Sequence, residues 1–286
     1  MEFPMRALNW VVRLGVAYGA VFGLGVWRWT AAIAGLLAQL DAARMPHRIA
    51  RYHVAELEGL PAPAQRYFRA ALTDGQSIVV AATLTQNGTF NLSAGAQQWK
   101  PFTATQHFVT ARPGFVWDAQ IRLFPGLPVR VVDALIAGTG LLRPTVLGLV
   151  PLGTQHGSGE IARGELLRYL AEAVWFPTAL LPSQGVVWHE VDDGSATATL
   201  TDGPVTVAMV FHFGGDDLVR AVFVESRAAT VGKTTVMLPW VCRMTHYQNR
   251  DGMRVPMVGE ALYLTPQGER PYFKGTTATL TYEFAP

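Results

Sequence analysis

Cysteine is nearly absent: Cys242 is the only one in 286 residues. A single thiol excludes an internal disulfide framework and any multi-cysteine metal or iron–sulfur site. Charge is scarce at 15% of residues, and balanced, with 23 basic against 21 acidic side chains. A net charge of +2 excludes nucleic acid as a partner, because that needs a concentrated basic face. Low charge beside 50% hydrophobic residues also excludes disorder, since so apolar a chain must bury a core. The common catalytic signatures are missing as well. His189-Glu190 runs into Val191-Asp192-Asp193, so there is no H-E-x-x-H zinc helix. Gly157-Ser158-Gly159 is not the G-x-S-x-G of a nucleophile elbow. Asp192-Asp193-Gly194 lacks the alternating ligands and distal glutamate of a calcium loop. No glycine-rich phosphate or dinucleotide loop is present. The chain therefore reads as a non-enzyme with no cofactor.

Charge is thinnest at the start. Between Leu8 and Leu40 the only charged residues are Arg13 and Arg28. Trp10 lies 17 and 19 residues before Trp27 and Trp29, about 26 to 28 Å as helix, close to the ~30 Å hydrocarbon core. Tryptophan favours the interface at each end of a span. The pattern predicts a transmembrane helix over roughly Asn9 to Trp29, continuing as an interfacial helix through Ala42. The organisation is then an anchor over 1–30, a juxtamembrane helix and linker over 31–58, and a β-rich domain over 59–286. The rival reading is a cleaved signal peptide, with Arg6 and Arg13 as its basic start and Ala32-Ile33-Ala34 as an A-x-A site. A buried core helix is a third. No cysteine lies near that site, which excludes a lipoprotein. Arg28, Arg44, Arg48 and Arg51 follow the centre of the span while Arg6 and Arg13 precede it, a slight lean toward a cytoplasmic domain that leaves the side open. The expected location is a bacterial inner membrane, crossed once.

Beyond the linker, Pro61 and Pro63 precede a short helix over Gln65 to Leu72. Period-two alternation then takes over. Val205, Val207, Met209, Phe211 and Phe213 share one strand face, and Thr276, Ala278, Leu280, Tyr282 and Phe284 share another. Asn87-Gly88, within Thr83 to Leu92, signals a hairpin turn. Recurrent Asp-Gly and Gly-Gly turns predict about ten or eleven antiparallel strands between Gln76 and Phe284. One clear helix interrupts them, capped by Ser158, with Glu160 and Glu165 at its positive end, Pro177 as its stop and a short helical turn after it at Thr178 to Leu181. The segment from Val129 to Leu152 carries only Arg130, Asp133 and Arg143 as charges. It reads as two core strands, a buried loop-helix or the wall of an apolar cavity.

Candidate site residues cluster on the interrupting helix: Glu165, Arg168, Tyr169, Glu172 and Trp175. Laid against a concave sheet, they would offer Glu and Arg to a ligand head group and Trp175 to an acyl chain. The same residues would equally serve as a salt-bridged face docking on the sheet, with Glu165, Arg168 and Glu172 as a charge ladder. His107, His189, His212 and His246 fall in expected strands and could converge as a metal site, but isolated strand histidines are the simpler reading and no metal is expected. Cys242 reads as a small core residue.

Several strings look familiar. Leu60-Pro61-Ala62-Pro63 with Arg66-Tyr67-Phe68, Trp99-Lys100-Pro101-Phe102-Thr103-Ala104, Pro113-Gly114-Phe115-Val116-Trp117-Asp118, Gly164 to Glu172 with Trp175-Phe176-Pro177, and Gly252-Met253-Arg254-Val255-Pro256 resemble an uncharacterised bacterial family, a domain of unknown function behind a membrane segment. The resemblance runs from about Val54 to Phe284. It implies a fold similar to the lipoprotein-localisation-factor half-barrels, in which a curved antiparallel sheet covered by helices holds acyl chains. An attached anchor departs from a soluble carrier. The resulting expectation is a membrane-anchored, mainly β protein that holds a membrane lipid or other hydrophobic ligand in a concave sheet. The alternatives are an envelope scaffold, and an enzyme using Glu165 or Glu172 with a strand histidine.

Overall fold

The computed structural model describes residues 3–91, 97–124, 126–231 and 234–286. It opens on a long helix, α1 (Phe3–Ala42), followed by a 3-10 turn (Val54–Leu57) and α2 (Ala62–Ala71). Seven strands come next: β1 (Val79–Asn91), β2 (Trp99–Val109), β3 (Gly114–Phe124), β4 (Leu127–Ile136), β5 (Thr139–Val146), β6 (Val150–Pro151) and β7 (Gln155–Gly157). Helix α3 (Glu160–Glu172) and three 3-10 turns then lead to β8 (Val187–Asp192), β9 (Ser195–Asp202), β10 (Val205–Phe213), β11 (Val219–Val231), β12 (Thr234–Arg250), β13 (Met253–Thr265) and β14 (Gly268–Phe284).

All fourteen strands belong to one antiparallel sheet. β1 pairs with β14, so the order runs from β6 through β5, β4, β3, β2, β1, β14, β13 and onward to β8. The sheet is open, with β6 and β8 at its ends. Two of the strands beyond the expected ten or eleven are β6 and β7, of two and three residues, too short to show a period.

The sheet curves round α3, which lies against β5 on one side and β10 on the other. One connecting segment thus bridges the opening and covers the concave face. On β3, Trp117, Ala119 and Ile121 face this interior and join the main core, while Val116 joins a second cluster on the outer face. The outer cluster is completed by α1, whose Trp29, Ile33 and Leu40 pack against Ala81, Val109, Val132 and Ala134. Trp29 is 2% exposed and its indole donates to the Asp118 carboxylate at 2.8 Å. Arg44 closes the docking with an ion pair to Glu283 at 2.6 Å. Helix α2 contributes Tyr67, tilted against Phe213, and Phe68, edge-to-face with Trp188. Its first turn carries Pro63 behind the N-cap Pro61.

Three local expectations give way. Asn87-Gly88 is not a turn: β1 runs straight through it, and Gly88 lies opposite Gly275 where the Lys274 carbonyl fills the space a side chain would need. Leu92, at the end of that expected hairpin, lies outside the described residues. On β14 the single face from Thr276 to Phe284 is broken by a bulge at Ala278, which buries Thr277 in its place. Ser158 does not cap α3; the N-cap is Gly159, without a side-chain bond. The helical turn after Pro177 is a 3-10 turn, Pro177–Leu180. The Val129–Leu152 segment resolves into β4 and β5, both strand and cavity wall.

Candidate functional site

Between α3 and the concave face is a cavity of about 560 Å³. Its walls are apolar, with Ile121, Leu123, Val129, Val131, Leu142 and Phe273 among them. These positions alternate with outward residues along β3 and β4, so strand periodicity lines the hollow with aliphatic carbon. Leu152, Gln155, Glu160, Thr230 and Thr235 line it and are exposed, which places the mouth on their side. The floor is polar and buried.

Arg168 organises that floor. It pairs with Asp133 of β4 at 2.5 Å and with Glu172 one turn on at 2.8 Å. Its guanidinium stacks over Phe115 and Trp117, 4.9 and 5.1 Å from the ring centres. Glu172 also accepts from Gln106 at 2.8 Å. Burial opposes the charge on Arg168, but Glu172 and Asp133 outweigh it and hold the guanidinium protonated. Burial also raises Glu172, with Arg168 pulling the other way. A second guanidinium, Arg227 of β11, donates to the Tyr263 hydroxyl at 2.9 Å and stacks over Trp240 at 4.6 Å.

Glu165 is 3% exposed and faces Asp133. Burial first, then Asp133, push its carboxyl well above the usual range. As bare carboxylates the two would each leave a buried oxygen without a donor. A proton on Glu165 supplies one, and leaves two carboxylates against two guanidiniums. A carboxyl raised by folding holds its proton more tightly in the folded chain than in the unfolded one. Stability therefore falls as pH rises from the ordinary glutamate range toward the folded value. Glu165→Gln, which mimics the protonated form, is expected to flatten that fall, removing up to about 1.4 kcal/mol per pH unit. Melting curves of the full-length protein in detergent at pH 5 to 8 check this; curves parallel to wild type would contradict it.

Of the five candidate residues, Glu165, Arg168, Glu172 and Trp175 line the cavity. Trp175 lies along Gly259 and donates to the Pro256 carbonyl at 2.7 Å. Tyr169 does not line the cavity; it turns into the core against Phe108 and Phe176. The charge ladder forms only at Arg168–Glu172, because Arg168 reaches across to Asp133 rather than back to Glu165. Asp133, Arg227 and Gln106 escaped the sequence reading. Asp133 carried a signal as the one acid in an apolar run; Arg227 carried none. The strand histidines do not converge: among the described residues no three potential metal ligands cluster and no histidine lines the cavity. His107 lies on β2, bonded to Thr83 at 3.1 Å. Burial pushes the Cys242 thiol up, so it stays protonated in the wall.

The sequence model of a family of unknown function, DUF6920, matches residues 58–282. No curated protein matches the chain. Among solved structures, the chain is similar to a domain described as an outer membrane lipoprotein-sorting protein from Vibrio parahaemolyticus, at 9% identity and TM-score 0.44 over 77% of this chain and 91% of that one. It is similar to a LolA superfamily protein from Nitrosomonas europaea at 11% identity and TM-score 0.39, over 78% and 94%. A beta-barrel-like protein from Brucella abortus, itself a domain of unknown function, gives 12% and 0.25 over 72% and 99%. At these scores the likenesses say nothing of a ligand.

Proposed function

The chain belongs to the DUF6920 family of unknown function, and from that premise we propose that it is a membrane-anchored protein that holds a lipid or similar hydrophobic molecule in its concave sheet. The observation that carries this is the cavity itself. Its volume falls within the ~300–1,000 Å³ of small-molecule sites, its walls are aliphatic and aromatic, and it opens to the surface. The ligand's chain lies along Ile121, Val129, Val131 and Leu142, and its inner end meets the floor of Glu165, Arg168, Glu172 and Trp175. Arg168 is engaged by protein partners, so the floor limits depth and Glu165 is the group left to meet a polar atom.

The anchor reading rests on α1, one helix long and apolar enough to cross a membrane. Cleavage at Ala34 would strip Trp29 and Ile33 from the outer cluster and uncover Val116 and Val132, which favours retention over a cleaved signal. The inner membrane remains the proposed location.

Leu142→Trp tests the cavity. Leu142 is half-buried on the wall, so the larger ring has free volume to enter. Mass spectrometry of organic extracts is expected to find lipid with the wild-type protein and markedly less with the variant, at an unchanged melting temperature. Equal lipid in both, or none in either, would sink the reading.

A further inference from the structure

Two turns of the sheet lie alongside α1 within the part read as crossing the membrane. The Tyr18 hydroxyl donates to the carbonyl of Gly126, in the β3–β4 turn. Seven residues on, the carbonyl of Leu147 in the β5–β6 turn fills the space beside Gly25. The two turns are themselves joined, with Leu147 N–H donating to Pro128 at 3.1 Å. At 1.5 Å per residue, Gly25 lies about 6 Å and Tyr18 about 16 Å toward the N-terminus from Trp29. If Trp27, which is 68% exposed while Trp29 is buried against the sheet, marks one interface, both turns lie below it.

The side chains on these turns match that depth. Phe124 is 65% exposed, Val150 59% and Leu152 58%, with Leu127 beside them at 36%. Lys100 sits over the Phe124 ring at 5.6 Å, a cation beside an exposed aromatic ring. Exposed apolar residues gathered on two touching turns, next to an apolar helix, need an apolar neighbour. Leu152 also lines the cavity, and Leu123, next to Phe124, does too.

We propose that Phe124, Leu127, Val150 and Leu152 form a rim embedded in the bilayer surface, so that the cavity mouth meets lipid rather than water. This rests on the anchored, ligand-holding reading above and adds the route: the ligand passes sideways between leaflet and cavity. An interfacial element of this kind buries its apolar side chains about 5–10 Å into the headgroup boundary. The register along α1 sets the β5–β6 turn at about that depth and the β3–β4 turn deeper, without any movement of the domain.

The test uses the full chain in phosphatidylcholine vesicles, with an environment-sensitive fluorophore on Phe124→Cys, Val150→Cys or Val191→Cys. Val191 is exposed on β8, beside the turn whose Asp193 carbonyl accepts from Arg66 of α2. Cys242 is buried and does not compete for the label. Labels at 124 and 150 should shift to the blue and be quenched by doxyl lipids, while the label at 191 is quenched by aqueous iodide. If 124 and 150 behave like 191, the rim is in water and the inference is overturned. Lipid bound to the unlabelled protein is read separately by mass spectrometry. A wet rim with bound lipid therefore defeats the rim alone, and an embedded rim with an empty cavity defeats the ligand reading alone.

Discussion

Arg168→Met is expected to destabilise the domain by about 3–5 kcal/mol, the cost of leaving buried carboxylates without their counter-charge. The melting temperature of a domain this size should fall by on the order of 10 °C. The reason is geometric. Arg168 is held by Asp133 and Glu172 and stacked on Phe115 and Trp117, so methionine replaces its packing but none of its donors. Asp133 and Glu172 then face each other's charge in a low-dielectric floor. Glu172 is already raised by burial, and loss of Arg168 raises it further. A carboxyl raised in the folded state makes the protein less stable as pH climbs above the ordinary carboxylate range. The variant should therefore recover part of its loss at pH 5 relative to pH 8. Arg168→Lys, which keeps the charge without the planar fork, should fall between the two. Thermal unfolding of the three proteins at both pH values decides it. A variant that melts like wild type but loses bound lipid would mean that Arg168 serves the ligand and not the fold.

Trp29→Ala should have an effect of similar size but confined to the docking of α1 on the sheet. Phe/Trp→Ala in a core costs about 3–5 kcal/mol, and Trp29 also gives up its bond to Asp118. Burial raises the Asp118 carboxyl while the indole N–H and Arg130 lower it, so losing the donor leaves that carboxylate worse solvated. The main core does not include this cluster, so the sheet should stay folded while the second half of α1 lifts from it. Limited trypsin digestion should then cut at Arg44 and Arg48 many times faster than in wild type. Amide exchange should rise on the α1-facing strands β3 and β4 but not on β12 and β13. Unchanged cleavage would show that the helix is held elsewhere, by Arg44–Glu283 for example.

What the sequence disclosed was whatever depends on neighbours in the chain. Val207, Met209 and Phe211 are buried as their alternation requires, and α3 begins near its acidic first turn and ends before Pro177. The apolar run after Val129 is the cavity wall that its composition allowed. What it withheld depends on partners far along the chain. Asp133 and Arg168 are 35 residues apart, and Arg227 meets Tyr263 and Tyr272 only through strand pairing. The Asn87-Gly88 pair has the right residues for a turn, yet its glycine is needed because β14 approaches there. The bulge at Ala278 reverses a face that local pattern alone draws straight. Tyr169 shares a helix with the floor residues but points the other way, a distinction that helix position conveys only once the sheet curves round α3.

The absence of any break in α1 from Phe3 to Ala42 fixes the working range of such a molecule. There is no hinge between the part read as crossing the bilayer and the part seated on the sheet, so the domain turns only when its helix turns. As the tethered ligand-binder proposed above, it would neither lift off to meet a distant acceptor nor release a ligand across an aqueous gap. On that reading its search is two-dimensional, over one leaflet, and whatever gives it a molecule or takes one away must come to it in that same plane.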